Sequence, residues 1–241
     1  MSNFQVLFLG ELQRMKKYNI FTGSIVISLL WVAMLHFTEV QDVGFIFPLL
    51  LFIDATSMAI LLIGVTMFYE KQENALKTLM VSPINKSEYI LAKTCANIIT
   101  NLEALVILYI YARIFKEINL NVLWFGIAVI LVSFLHSLIG FLFTYASRDF
   151  TELLMGMMKY TFLLMIPPLL EQVGLIRNQL FSRLLYILPT KASLLILNAP
   201  VSGIETWEIY YSIIYTIFLS ALLYVQVVKK FTNFAIKESG V

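Results

Sequence analysis

Six stretches of this chain, residues 20–37, 43–69, 90–111, 122–146, 153–170 and 210–228, are almost free of charge and run for 18 to 27 residues each. About 20 residues of apolar helix cross the hydrocarbon core of a bilayer, so a chain carrying six such runs has few other ways to fold. With 60% of its 241 residues hydrophobic and 13% charged, the chain cannot clothe a soluble globule in polar side chains. The expected fold class is an all-α integral membrane protein with six transmembrane helices, forming a single transmembrane domain over residues 1–241.

Between the fifth and sixth runs, residues 175–197 are apolar but interrupted by Arg177, Arg183, Pro189 and Lys191. The uninterrupted pieces are too short to cross. They read as a re-entrant or interfacial pair of short helices within segment 171–208, entered after a Pro167-Pro168 break that ends the fifth span. Lys and Arg concentrate on cytoplasmic segments. Six spans with a cytoplasmic N-terminus place twelve basic residues inside (Arg14, Lys16, Lys17, Lys71, Lys77, Lys86, Lys93, Arg148, Lys159, Lys229, Lys230, Lys237) and five outside. The expected location is the cell membrane, multi-pass, with both termini cytoplasmic. The first run reads as a retained span rather than a cleaved signal. Ahead of it, Phe4, Phe8, Leu12 and Met15 recur at helical spacing opposite Gln13, Arg14, Lys16 and Lys17, with Glu11 interrupting the apolar stripe. Residues 1–17 are thus expected to form an interfacial amphipathic helix.

Several chemistries lack the residues they need. Cys95 is the only cysteine, and no Cys/His cluster has metal-ligand spacing. A net charge of +2 is too small to point to nucleic acid. The ten glycines form no G-x-x-x-x-G-K-[ST] loop, so no nucleotide or other cofactor is expected on this chain.

The longest polar stretch is the cytoplasmic loop over residues 70–88, where charge is densest. On a continuous helical wheel Tyr69, Leu76, Leu79 and Met80 share one face, while Glu70, Lys71, Glu73, Asn74, Lys77 and Thr78 share the other. Ser82-Pro83 stops that helix, because the residue before proline leaves the α region. Asn85 then caps a new helix, with Glu88 in capping-box position, that leads into the third span. On this reading exposed Glu70, Lys71, Glu73 and Lys77 select a partner while Leu76, Leu79 and Met80 make the buried contact. The alternative is a solvated helix lying on the bilayer.

This loop resembles that of the type-2 ATP-binding-cassette permeases, which carry an acidic amphipathic helix after the second span, a Leu-rich turn, a Ser/Thr-Pro step and a Glu-aromatic-apolar-Leu-small-Lys run. Here the elements are Glu70, Leu76, Leu79, Val81, Ser82, Pro83, Ile84, Glu88, Tyr89, Leu91, Ala92 and Lys93. The family usually has Gly-Thr-Leu-Glu where this chain has Asn74, Ala75, Leu76 and Lys77. The runs FPLLLFIDATSMAILLIGVTMFYEKQ and LLYILPTKASLLIL are similar to small permeases named for fluoroquinolone export. The resemblance implies a pathway built by two permease subunits, as a homodimer or heterodimer, and driven by two separate ATPases that bind ATP and Mg. It also implies that residues 70–83 (Glu70, Lys71, Glu73, Leu76, Lys77, Leu79, Met80, Val81, Ser82 and Pro83) are the coupling helix seated in an ATPase cleft.

Inside the membrane Asp54, Glu103 and His136 fall near mid-depth and are open to mutual partnership, as a polar gate, a substrate contact, a hydrogen-bonded packing cluster or a carboxyl kept neutral by a raised pKa. Lys159 lies near enough to the inner end of the fifth span to snorkel. A polar stripe on the third span (Lys93, Asn97, Thr100, Asn101) and a small-residue stripe on the fourth (Ser133, Ser137, Gly140) suit helix packing. The leading expectation is the permease subunit of an exporter for a hydrophobic or amphiphilic cargo, drugs and antibiotics among them, with no enzymatic activity of its own. A membrane-embedded enzyme using Asp54, Glu103 and His136, or a channel or sensory anchor, stands as the alternative.

Overall fold

The computed structural model describes residues 3–37, 43–81, 84–116 and 120–236, excluding the side chains of residues 80 and 81. These residues build helices, and no strand occurs among them. Helix α1 (Asn3–Lys17) precedes α2 (Ile20–Phe37), the first of six helices long and apolar enough to span a membrane. The second, Val43–Gln72, comprises α3 (Val43–Ile53), a π-helical turn at Asp54–Met58 and α4 (Ala59–Gln72). Short α5 (Ala75–Val81) leads to α6 (Lys86–Phe115) and α7 (Val122–Ala146), the third and fourth. The fifth, Phe150–Gln172, joins α8 (Phe150–Tyr160), a second π-helical turn (Thr161–Met165) and α9 (Ile166–Gln172). After α10 (Gln179–Leu185) and α11 (Pro189–Asn198), α12 (Thr206–Ile236) carries the sixth.

Local sequence sets many of these boundaries. Asn85, Asn121, Asp149 and Asn178 each accept a backbone N–H in the first turn of α6, α7, α8 and α10, satisfying donors that a helix start leaves open. At Asn85 the bond comes from Ser87 N at 3.0 Å, while Glu88 Oε2 is buried without a hydrogen-bond partner, so only the first half of the expected capping box forms. The expected pair of short helices between the fifth and sixth spans is present as α10 and α11, which meet at 93°. At 1.5 Å per residue they are about 10 and 15 Å long, too short to cross singly. Tyr186, which follows α10, stacks on Trp207 of α12, and Tyr211 Oη donates to the Tyr186 carbonyl at 2.9 Å, which pins the pair to the start of the last span.

The second and fourth spans form the centre of the bundle. Their most apolar stretches are 61% and 56% buried, against 17%, 22% and 22% for the first, fifth and sixth. Glycine permits the central crossing. A Cβ on Gly140 of α7 would stand 3.0 Å from the Cα and carbonyl oxygen of Ile60, where only movement of a whole helix makes room. One turn further along the same face of α4, a Cβ on Gly64 would collide with Leu153 of α8. The two stripes expected to seat the third and fourth spans do meet. Asn97 Nδ2 donates to Ser137 Oγ at 2.8 Å and to the Ala59 carbonyl at 3.0 Å, and Asn101 Nδ2 donates to Ser133 Oγ at 2.9 Å.

Two boundaries differ from the sequence expectation. Pro167-Pro168 does not end the fifth span, which continues to Gln172 with the prolines in the first turn of α9, where a missing N–H matters least. The carbonyl of Leu164, four residues before Pro168, is taken up by the Thr190 hydroxyl of α11. The second span does not end at Tyr69 but runs to Gln72 and stops at Asn74, whose φ of +56° asparagine tolerates better than most residues.

Candidate functional site

The left-handed turn at Asn74 resets the helical wheel of the loop between the second and third spans. Glu70 and Lys71 belong to the last turns of α4 and are 1% and 8% exposed, whereas Tyr69 is 44% exposed. The expectation that Glu70 and Lys71 face solvent is therefore corrected: a continuous wheel from 69 to 80 put them on the wrong side of a break. Lys71 Nζ stands 4.9 Å from the centroid of the Phe234 ring of α12. Beyond the break, Leu76 of α5 is buried in a cluster with Met67, Tyr89 and Phe231, Leu79 is half-buried beside it, and Lys77 and Thr78 are exposed. Glu73 accepts from Lys17 Nζ and Tyr18 Oη, both at 2.8 Å, and these bonds hold its carboxyl below the usual carboxylate range. Ser82 and Pro83 lie outside the described residues, as do the side chains of Met80 and Val81.

Buried Glu70 lies at the centre of a charge cluster that joins three helices. Its Oε1 meets Lys93 Nζ of α6 at 2.7 Å and Arg14 Nε of α1 at 3.1 Å, and its Oε2 accepts from the Tyr89 hydroxyl. Lys93 reaches Glu11 Oε2 of α1 at 2.8 Å, and Arg14 also contacts Glu11. Two carboxylates balance two cations, and Glu11, Glu70 and Lys93 are each at most 2% exposed. Burial pushes the Glu11 carboxyl above its usual range against the pull of Lys93. Alpha-1 packs along α6 with Leu7, Glu11 and Met15 inward and Val6 and Leu9 outward. The Glu11 that interrupts the apolar stripe is thus its anchor. The available signal was that interruption itself, since a carboxylate on a buried face requires a cation.

The intramembrane trio divides. His136 Nδ1 contacts the Val132 carbonyl at 2.9 Å and its Nε2 the Tyr160 hydroxyl at 3.0 Å, which makes it a neutral link between the fourth and fifth spans. It shares no hydrogen bond or ion pair with Asp54 or Glu103 among the described residues, so the partnership open to all three is corrected to leave His136 out. Asp54 opens the π-helical turn of the second span and is 5% exposed. The Trp31 indole of α2 lies beside it, and Glu103 of α6 lies within electrostatic range. Neither carboxyl has an ion-pair partner among the described residues, and Glu103 Oε2 is buried without a hydrogen bond. Among those residues no group of three or more acidic, His or Cys side chains is arranged to hold a metal ion. The π turns of the second and fifth spans touch, with Ser57 Oγ 3.4 Å from Met165 Sδ. Such turns often accompany functional sites.

A sequence profile described as the Fluoroquinolones export permease protein family matches residues 4–239. Two curated relatives, each named a fluoroquinolones export permease protein and found in two strains of Mycobacterium tuberculosis, are 25% identical over 216 residues, covering 89% of this chain and 88% of each relative.

Proposed function

Because the chain belongs to the fluoroquinolones export permease protein family, we propose that it is the transmembrane permease subunit of an ATP-binding-cassette exporter. Two permease subunits, identical or different, form the pathway, and separate ATPase subunits hold ATP and Mg and supply the energy. The cargo is hydrophobic or amphiphilic, with drugs and antibiotics in that class, in keeping with the relatives' names. In this reading both termini are cytoplasmic, α1 lies in the inner interface, α10 and α11 form a re-entrant pair at the outer face, and α5 is the coupling helix.

The observation that carries this reading is the buried Glu11–Lys93–Glu70 set behind an exposed α5. Lys77 and Thr78 are available to an ATPase cleft, while Leu76 and Glu73 tie α5 to the bundle and to the α1–α2 corner. A push on α5 acts on the ends of α4 and α6, which the cluster holds together with α1 as one unit. Close-packed units move as bodies rather than deform continuously, so displacement passes along the second and third spans toward the π turn at Asp54–Met58. Asp54, Glu103 and His136 then divide by role: His136 packs, and the two carboxyls face the part of the bundle where cargo is handled.

Co-purification with the ATPase encoded beside this chain tests the coupling assignment. Lys77→Glu combined with Thr78→Arg alters exposed side chains of α5 and is expected to weaken association at least tenfold, about 1.4 kcal/mol. Arg177→Glu, on the opposite side of the membrane, is expected to leave it unchanged. Full association and cargo-stimulated ATP hydrolysis in the α5 variant would contradict the assignment.

A further inference from the structure

A cavity of about 180 Å³ opens between α2, the π turn of the second span and α6. Its walls are mainly aliphatic, with Ile27, Met58 and Leu62 among them, and its polar lining includes Asp54 and Asn101. It reaches from Tyr18 and Asn19 at the α1–α2 corner to Ile27, a rise of about 13 Å along α2. Asp54 is 95% buried yet has no ion pair among the described residues. Asn101 gives its amide nitrogen to Ser133, which leaves its carbonyl oxygen as acceptor. The cleft therefore offers oxygen acceptors within apolar walls.

We propose that this cleft binds the ammonium end of a cationic amphiphile, with Asp54 as its counter-ion. Sites that enclose a whole drug-sized molecule run to about 300–1,000 Å³, so 180 Å³ suits the amine-bearing part while the apolar body lies along α2. A cation is the ligand that repairs the electrostatics here, because a carboxylate in a low-dielectric bundle requires a positive partner and the chain supplies none at this position. The cavity reaches the α1–α2 corner, the side assigned to the cytoplasm, from which an exporter loads. The inference rests on the permease reading and deepens it by naming the class of cargo.

Binding is measured on the full-length chain in lipid nanodiscs without any ATPase, so a failure of the coupling assignment leaves this test intact. The probe is dansylcadaverine, an aromatic body with a primary ammonium, compared with its uncharged N-acetyl derivative, with empty nanodiscs as the partition control. The wild type is expected to bind the amine at least tenfold more tightly than the acetyl compound. Asp54→Asn is expected to bind both at the level of the acetyl compound. Equal affinity of the wild type for the two probes, or an undiminished preference in Asp54→Asn, overturns the proposal. Should that variant fold poorly, labelling of Asp54 by dicyclohexylcarbodiimide in the wild type, read by mass spectrometry, gives the same decision. The amine must slow labelling and its acetyl derivative must not, and equal labelling with the two overturns the proposal.

Discussion

Two pairs of carboxylates within this bundle meet opposite fates. At one end of the second and third spans, Glu11 and Glu70 are closed in by Lys93 and Arg14, with the Tyr89 hydroxyl completing the set. Within the bundle, Asp54 and Glu103 lie within electrostatic range of each other and have no cation among the described residues. The first pair is internally neutral, so its charges hold helices together. The second has no such cation, which is what the proposed ammonium ligand would supply. Burial alone does not separate a structural acid from a functional one; the presence of a partner does.

The largest expected effect breaks the closed cluster. Lys93→Met leaves two buried carboxylates facing each other, and loss of one partner from a buried pair costs about 3–5 kcal/mol. The expected result is a large fall in the thermal midpoint of the detergent-solubilised protein, with partial recovery when Glu11→Leu removes one of the stranded charges. An equal midpoint for Lys93→Met and the wild type would dissolve the contrast between the two acidic sites.

Next comes Gly140→Val, which forces the fourth span away from Ile60 and is expected to cost about 1–3 kcal/mol by overpacking. Gly64→Ala should be milder, because the atom it meets is the end of a flexible Leu153 side chain. The same thermal measurement ranks the two, and the reverse order would move the centre of the bundle elsewhere. Asp54→Asn should then leave stability unchanged or raise it, since it removes a buried charge with no ion-pair partner. A midpoint drop as large as that of Lys93→Met would make Asp54 structural.

The smallest effect is pH-dependent and lies at Glu73. Its folded-state affinity for protons is lowered by Lys17 and Tyr18, so the contribution of this link is present above the ordinary carboxylate value and is lost as pH falls through the lower folded value. Spin labels on α1 and α5 should report a broadened distance in that acidic window, and Glu73→Gln should show the broadening already at neutral pH.

The six spans were legible because about 20 uninterrupted apolar residues have one common physical solution. The cap at Asn85 and the broken pair α10–α11 were legible for similarly local reasons. Glu70 was not, because its exposure depends on whether one helix or two cover residues 69–80, and the turn at Asn74 that decides this is a backbone choice. Glu11 was visible as a flaw in an amphipathic stripe, but its partner Lys93 lies 82 residues away and only the packing of α1 on α6 brings them together. Pro167-Pro168 misled because the hydroxyl that takes up the Leu164 carbonyl comes from Thr190, on a different helix.

ATP-driven movement of dansylcadaverine into inside-out vesicles carrying this chain and the ATPase proposed to drive it tests the exporter reading most directly. Uptake should require both proteins and ATP, and should be lost when Lys77→Glu and Thr78→Arg are combined on α5. Uptake that persists without the ATPase, or that the α5 variant supports at the wild-type rate, would contradict a permease that takes its energy through that helix.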